Sequence, residues 1–184
     1  MLDSSELSML ISQMVSNDDR SCWKAADALI QANSRRATKP LLRMMKGGVR
    51  AEVRVASIRI LGELGDRRAR RVLENILNKK EQPPRVRGYA AEALGNVGDL
   101  RSLPVLIAAT YSSEVEIRYL AVVALAVLGD GQAIVHISRL TADQSEYPGH
   151  GIVSAVAADS LKVLRSRCFQ DEGGSGRTGL RLPA

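Results

Sequence analysis

Apolar residues return along most of this chain at intervals of three and four, the spacing of one helix face. Val53, Ala56, Ile60, Leu61 and Leu64 mark one such face, and Ala69, Val72, Leu73, Ile76 and Leu77 mark the next. Each unit of the pattern therefore reads as two helices. Between them stands Gly65-Asp66. The glycine ends the first helix where a positive φ costs little. The aspartate caps the second by accepting from its free N–H groups. Gly47-Gly48, Pro83-Pro84 and Pro148-Gly149 punctuate the chain between units.

The unit repeats. Val53-Arg54-Val55-Ala56-Ser57-Ile58-Arg59-Ile60-Leu61-Gly62-Glu63-Leu64-Gly65-Asp66 aligns without gaps on Val86-Arg87 through Gly98-Asp99 and on Ile117-Arg118 through Gly129-Asp130. A weaker copy, Trp23-Lys24-Ala25-Ala26-Asp27-Ala28-Leu29, comes before them, with Asn33-Ser34 in place of Gly-Asp. A degenerate copy at Val156–Leu161 follows a longer spacer. Regular copies between atypical ones are the signature of a solenoid with capped ends. The expected fold is all-α, an α-α superhelix of about five helix pairs. Its repeats fall near 18–47, 50–80, 83–112 and 114–142, with a partial one at 148–168. Residues 1–16 supply an N-terminal capping helix, opened by Asp3-Ser4-Ser5-Glu6. The repeat domain closes at 169, and the Gly-, Ser- and Arg-rich residues 170–184 read as a flexible tail.

Val86-Arg87…Ala90-Ala91-Glu92-Ala93-Leu94-Gly95…Gly98-Asp99 resembles the HEAT family, and most of all its bacterial branch of phycobilin-lyase-type repeats, whose pattern is V-R-x-x-A-A-x-A-L-G-x-x-G-D. The resemblance covers about residues 18–165. It implies a fold and says little of activity, because the branch serves many unrelated proteins. It also implies that the second helix of each pair lines the concave face.

Charge then singles out one part of that face. The net charge is +6, yet residues 34–88 alone carry 16 Lys and Arg against 5 Asp and Glu. Counting along each second helix places Lys39, Arg43, Arg71, Asn75 and Arg139 toward the groove, with Arg35, Arg36, Arg67 and Arg68 at its edge. Pro104, Ala108 and Val135 take the equivalent positions further on, so the groove is cationic at its N-terminal half and neutral or apolar beyond. Arginine in excess of lysine suits bidentate contacts to carboxylates or phosphates. A protein partner with an acidic surface or segment is the favoured reading, in a non-catalytic scaffold or adaptor. A nucleic-acid-binding module is the alternative, but no aromatic residues interleave the arginines to stack bases. An accessory subunit of a phycobilin-lyase-like enzyme is a further alternative, which the resemblance alone suggests.

Two further rows recur in every regular copy. Arg54, Arg87 and Arg118 hold one position, and Asp66, Asp99 and Asp130 another. They read as structural ladders, each arginine meeting an aspartate of its own or the adjacent repeat, in preference to anion ligands.

Chemistry is otherwise sparse. Only His136 and His150 are histidines; the first falls beside Val135 and Ile137 as a half-buried structural residue, the second in the spacer Glu146–Gly151. Trp23 packs in the N-terminal part. Cys22 and Cys168 lack a partner base and metal-ligand spacing, and two such cysteines fit a reducing, cytoplasmic compartment. No catalytic, metal or cofactor site is expected. The start has no basic segment of a secretory signal, and no apolar run suggests a membrane span.

Overall fold

The computed structural model describes residues 2–174. Ten α-helices and four short, tighter helical turns hold about three quarters of them. α1 (Ser4–Val15) is the N-terminal cap, and its first turn is held by a reciprocal capping box between Asp3 and Glu6. Four helix pairs follow: α2 (Asp19–Gln31) with α3 (Thr38–Met44), α4 (Ala51–Glu63) with α5 (Arg70–Asn78), α6 (Pro84–Val97) with α7 (Leu103–Ala109), and α8 (Val115–Leu128) with α9 (Ala133–Ser138). A two-residue antiparallel hairpin, β1 (Glu146–Tyr147) and β2 (Gly151–Ile152), leads into the long last helix α10 (Val153–Gly174). The fold is a helical repeat solenoid.

The turn within each pair holds a left-handed residue, followed in the three regular pairs by a capping aspartate. Gly65, Gly98 and Gly129 have φ of 58°, 67° and 80°. Asn33, which replaces glycine in the first copy, adopts 44°, a conformation asparagine tolerates better than most residues. The carboxylates of Asp66, Asp99 and Asp130 then accept from the backbone N–H two residues on, in Arg68, Arg101 and Gln132. Each second helix of the four pairs is short and adjoins a tighter turn: Arg35–Ala37, Arg67–Ala69 and Leu100–Ser102 precede α3, α5 and α7, while Arg139–Ala142 follows α9.

The core runs as one continuous strip between the two layers. Leu29, Leu41, Ile58, Ile60, Leu61, Leu73, Leu94, Leu106, Ile117, Leu125 and Ile137 are fully enclosed. The layers are not alike. First helices approach until glycine faces backbone: a Cβ on Gly62 would lie 2.9 Å from Ala93 Cα, and one on Gly95 would lie 2.6 Å from Ala124 Cα. Second helices are spaced apart, and clefts open between them at every repeat boundary.

Some expectations shift. On α1 Met14 is enclosed, but Val15 is 49% exposed, because the stripe turns outward at the last residue. α10 continues to Gly174, past the boundary drawn at 169, so Gly173-Gly174 is helical; residues 175–184, the rest of the expected tail, lie outside the described residues. The arginine and aspartate rows do not pair with each other. Arg54 donates to Gly47 O, Arg87 to Leu77 O, and Arg118 to Ser112 O and Ser113 O. The arginine row therefore bonds carbonyls where the preceding second helix ends. Asp66 is bonded by the Arg68 guanidinium and by the buried hydroxyl of Thr38, while Asp99 pairs with Arg101 and Arg70.

These bonds set an acid limit. The Arg101 hydrogen bond holds Asp99 at about 2. Burial works against ionised Asp143, yet Arg118 and Ser145 bring it to about 2 as well. A carboxylate depressed in the folded state stabilises fully above its unfolded value of about 4, and that contribution disappears as pH falls through the folded value. The expected result is a melting temperature nearly flat from pH 7 to 5 that drops steeply below pH 4, read by circular dichroism. An equal melting temperature at pH 3 and pH 7 would contradict it.

Candidate functional site

The second-helix face carries the cations that the repeat register points to it, and their engagement differs. Lys39 and Arg43 stand exposed on α3, and Arg71 and Asn75 on α5. Arg35, Arg36, Arg67 and Arg68 are exposed on the two turns that precede those helices. Arg36 reaches back to Leu2 O and Ser4 Oγ at the N-terminal cap. Arg68 is bound to the Asp66 carboxylate. Arg35, Lys39, Arg43, Arg67 and Arg71 form no ion pair among the described residues.

Arg139 stands apart from that stripe. Its guanidinium lies 3.9 Å over the Tyr111 ring, and Nη2 donates to Thr110 O at 2.9 Å. Tyr111 is 56% exposed, and its hydroxyl is 2.9 Å from His136 Nδ1. Half-buried His136 thus has a polar partner on the neighbouring helix pair, one that its own surroundings in the sequence do not reveal. Around this group Pro104, Ala108 and Val135 are exposed, Val135 at 70%. The face is therefore cationic over α3 and α5 and largely apolar over α7 and α9.

A second concavity lies on the first-helix face, where sequence reasoning had placed nothing. A cavity of about 440 Å³ spans α2, α4 and α6, walled by Trp23 and Tyr89. Arg59 sits 5.8 Å from the Trp23 ring centre and bonds Asp27; Arg85 sits 5.9 Å from that of Tyr89. Burial, with the charge of Glu63, raises the Glu92 carboxyl. Beyond it the hairpin folds down: Tyr147 stacks on His150 at 4.0 Å, and the Tyr119 hydroxyl donates to His150 O. Burial pushes Tyr147 up to about 12. Trp23 and Tyr89 occupy different repeat positions, so no periodic signal links them.

Cys22 is fully enclosed and its thiol is pushed up by burial, which disfavours the thiolate. Among the described residues no three His, Cys, Asp or Glu side chains converge as a metal site, and no helix is long and apolar enough to cross a membrane. What the arrangement offers is charged and apolar surface.

Comparison with known proteins follows the same lines. The family profile of HEAT repeats matches residues 79–162, and that of the PBS lyase HEAT-like repeat matches residues 53–79. No curated protein matches. Among solved structures, the chain is similar to one from the complex of CpcE and CpcF of phycocyanin lyase from Nostoc sp. PCC7120. The two are 24% identical, with a TM-score of 0.72, over 86% of this chain and 99% of that one. An engineered protein is 20% identical, with a TM-score of 0.57, over 92% of this chain and 85% of that one. At such identities the likeness is one of fold. The two profiles together span more than half of the sequence and all three regular copies of the repeat, and the chain is a HEAT-repeat protein.

Proposed function

We propose that this chain is a non-catalytic protein-binding scaffold that grips an acidic segment of a partner along its second-helix face. The observation that carries this reading is the set of exposed cations, Arg35, Lys39, Arg43, Arg67 and Arg71, which have no acidic partner among the described residues. A face serving only solubility would mix signs. Here the cations are aligned on adjacent helices, where an extended or helical acidic segment meets several at once. The apolar surface over α7 and α9 gives such a segment a hydrophobic anchor beside its charges.

The test is affinity capture from the native cell extract with wild type and the double variant Arg43→Glu, Arg71→Glu. Captured proteins bearing acidic segments are expected with the first and lost with the second. Identical sets from both would sink the proposal. If the partner were nucleic acid, the same face would bind duplex with an affinity falling steeply between low and moderate salt, which a mobility-shift titration would detect.

A second reading rests on the likeness to a chain of the phycocyanin lyase complex. In it the chain pairs with another repeat subunit and helps to hold a bilin and its carrier protein. Co-expression with a bilin source, followed by absorbance of the purified chain, separates the two readings, since only the second requires a bound chromophore.

A further inference from the structure

The clefts between successive second helices share one feature: each has a member of the arginine row in its lining. Arg54 lies in the cleft between α3 and α5, Arg87 in that between α5 and α7, and Arg118 in that between α7 and α9. Their surroundings differ in charge. In the last, Arg118 is 2.8 Å from Asp143 and also bonds Ser112 O, Ser113 O and Ser145 Oγ, so its guanidinium is neutralised and engaged. In the middle cleft Arg87 donates to Leu77 O at 2.9 Å, and Glu114 supplies an acid to the lining.

The first cleft is different. It has a volume of about 510 Å³, and Lys46, Arg54 and Lys79 line it with no acidic residue among them. Neither lysine forms an ion pair among the described residues. Arg54 is half-buried, and among the described residues its hydrogen bonds go only to neutral oxygens, Gln82 Oε1 at 3.2 Å and Gly47 O at 3.5 Å. The Gly48 amide at the rim makes no backbone hydrogen bond among the described residues. The inner lining is apolar, made of Met45, Val72 and Ile76.

Three uncompensated cations around an apolar floor define a complementary group. We infer that this cleft anchors a carboxylate side chain flanked by an aliphatic one, within the acidic partner segment; the inference rests on the scaffold reading and narrows it to one subsite. The guanidinium fork and the two ammonium groups bind the carboxylate, and proximity to Met45, Val72 and Ile76 lowers the local screening. The aliphatic neighbour covers that floor. A ladder arginine thus takes a ligand role at one boundary and a structural role at the other two.

The test uses the full chain labelled with 15N and titrated with acetyl-Glu-Leu-amide. Saturable shifts at the amides of Gly47 and Gly48 and at Arg54 Nε are expected, with a dissociation constant on the order of millimolar. Acetyl-Gln-Leu-amide, without the charge, and acetyl-Glu-Ser-amide, without the aliphatic group, should each bind at least about fivefold more weakly. Lys46→Glu with Lys79→Glu should weaken binding about tenfold, both residues being exposed and outside the core. Arg87→Gln, the equivalent change one boundary on, should leave it unaltered. Equal binding of the three peptides, or shifts spread evenly over the cationic face, would overturn the subsite. Tighter binding of acetyl-Ser-Leu with a free terminal carboxylate would overturn the side-chain assignment in favour of a chain terminus. Loss of partner capture in the Arg43→Glu, Arg71→Glu variant with no peptide shifts at Gly48 removes the cleft and leaves the wider face. Specific peptide shifts with unchanged capture do the reverse.

Discussion

Gly95→Ala is expected to destabilise the protein by about 3 kcal/mol, although alanine is the better helix former by about 1 kcal/mol. The added methyl would lie 2.6 Å from Ala124 Cα and 2.8 Å from Ala124 O, both backbone atoms of α8. No rotamer relieves such a contact, so α6 and α8 must separate and lose packing along their length. Thermal unfolding of a chain this size should shift downward by roughly 10 °C. The other glycines grade the effect. Gly62→Ala meets Ala93 Cα at 2.9 Å and should behave similarly. Gly88→Ala meets chiefly the end of the Leu120 side chain, which can turn, and should cost less. Gly48→Ala meets nothing within 4 Å and should be neutral. A Gly95→Ala protein as stable as wild type would mean that the first helices do not depend on this approach.

The second large effect belongs to Asp66. Its carboxylate accepts from Arg68 N at 3.0 Å, from the Arg68 guanidinium, and from Thr38 Oγ1 at 2.8 Å, and both Asp66 and Thr38 are buried. Asp66→Ala removes a helix cap and strands a buried hydroxyl, together about 3 kcal/mol. Thr38→Val added to Asp66→Ala should restore part of that loss, because the stranded hydroxyl is gone. Asp130→Ala is the comparison: Asp130 caps Gln132 at 2.8 Å but is more exposed, and about 1 kcal/mol is expected. Denaturant titration of wild type, Asp66→Ala, Thr38→Val and the double variant measures the cycle. Additive effects of Asp66→Ala and Thr38→Val would show that the two side chains are not coupled.

The parts of this structure that depend on near neighbours were legible in the sequence. Helix pairs follow from apolar spacing, and the turn within a pair follows from Gly65-Asp66 and its copies, since a left-handed residue and a cap act within a few residues. The exposed positions of Lys39, Arg43, Arg71 and Asn75 follow from counting along a helix. What each side chain bonds to does not. Arg68 is tied to Asp66 and Arg36 to the N-terminal cap, while Arg67 and Arg35 form no ion pair among the described residues, though all four occupy equivalent edge positions. What the arginine row has in common is bonding to backbone carbonyls, which no residue type announces. Tyr111 and His136 come together from successive pairs, 25 residues apart, and Trp23 meets the Tyr89 cavity across α4. The register fixes which direction a side chain takes; the approach of one repeat to the next decides what it finds there.

The unequal layers have a mechanical consequence. Where glycine and alanine bring backbones together, the first helices form a spine that resists stretching, since any extension breaks close contact along two helices. The second helices, separated by clefts, form the pages of a book bound along that spine. Flexing the solenoid therefore changes the width of the clefts before it disturbs the core, and a group wedged between α3 and α5 would stiffen that boundary and fix its share of the curvature of the stack.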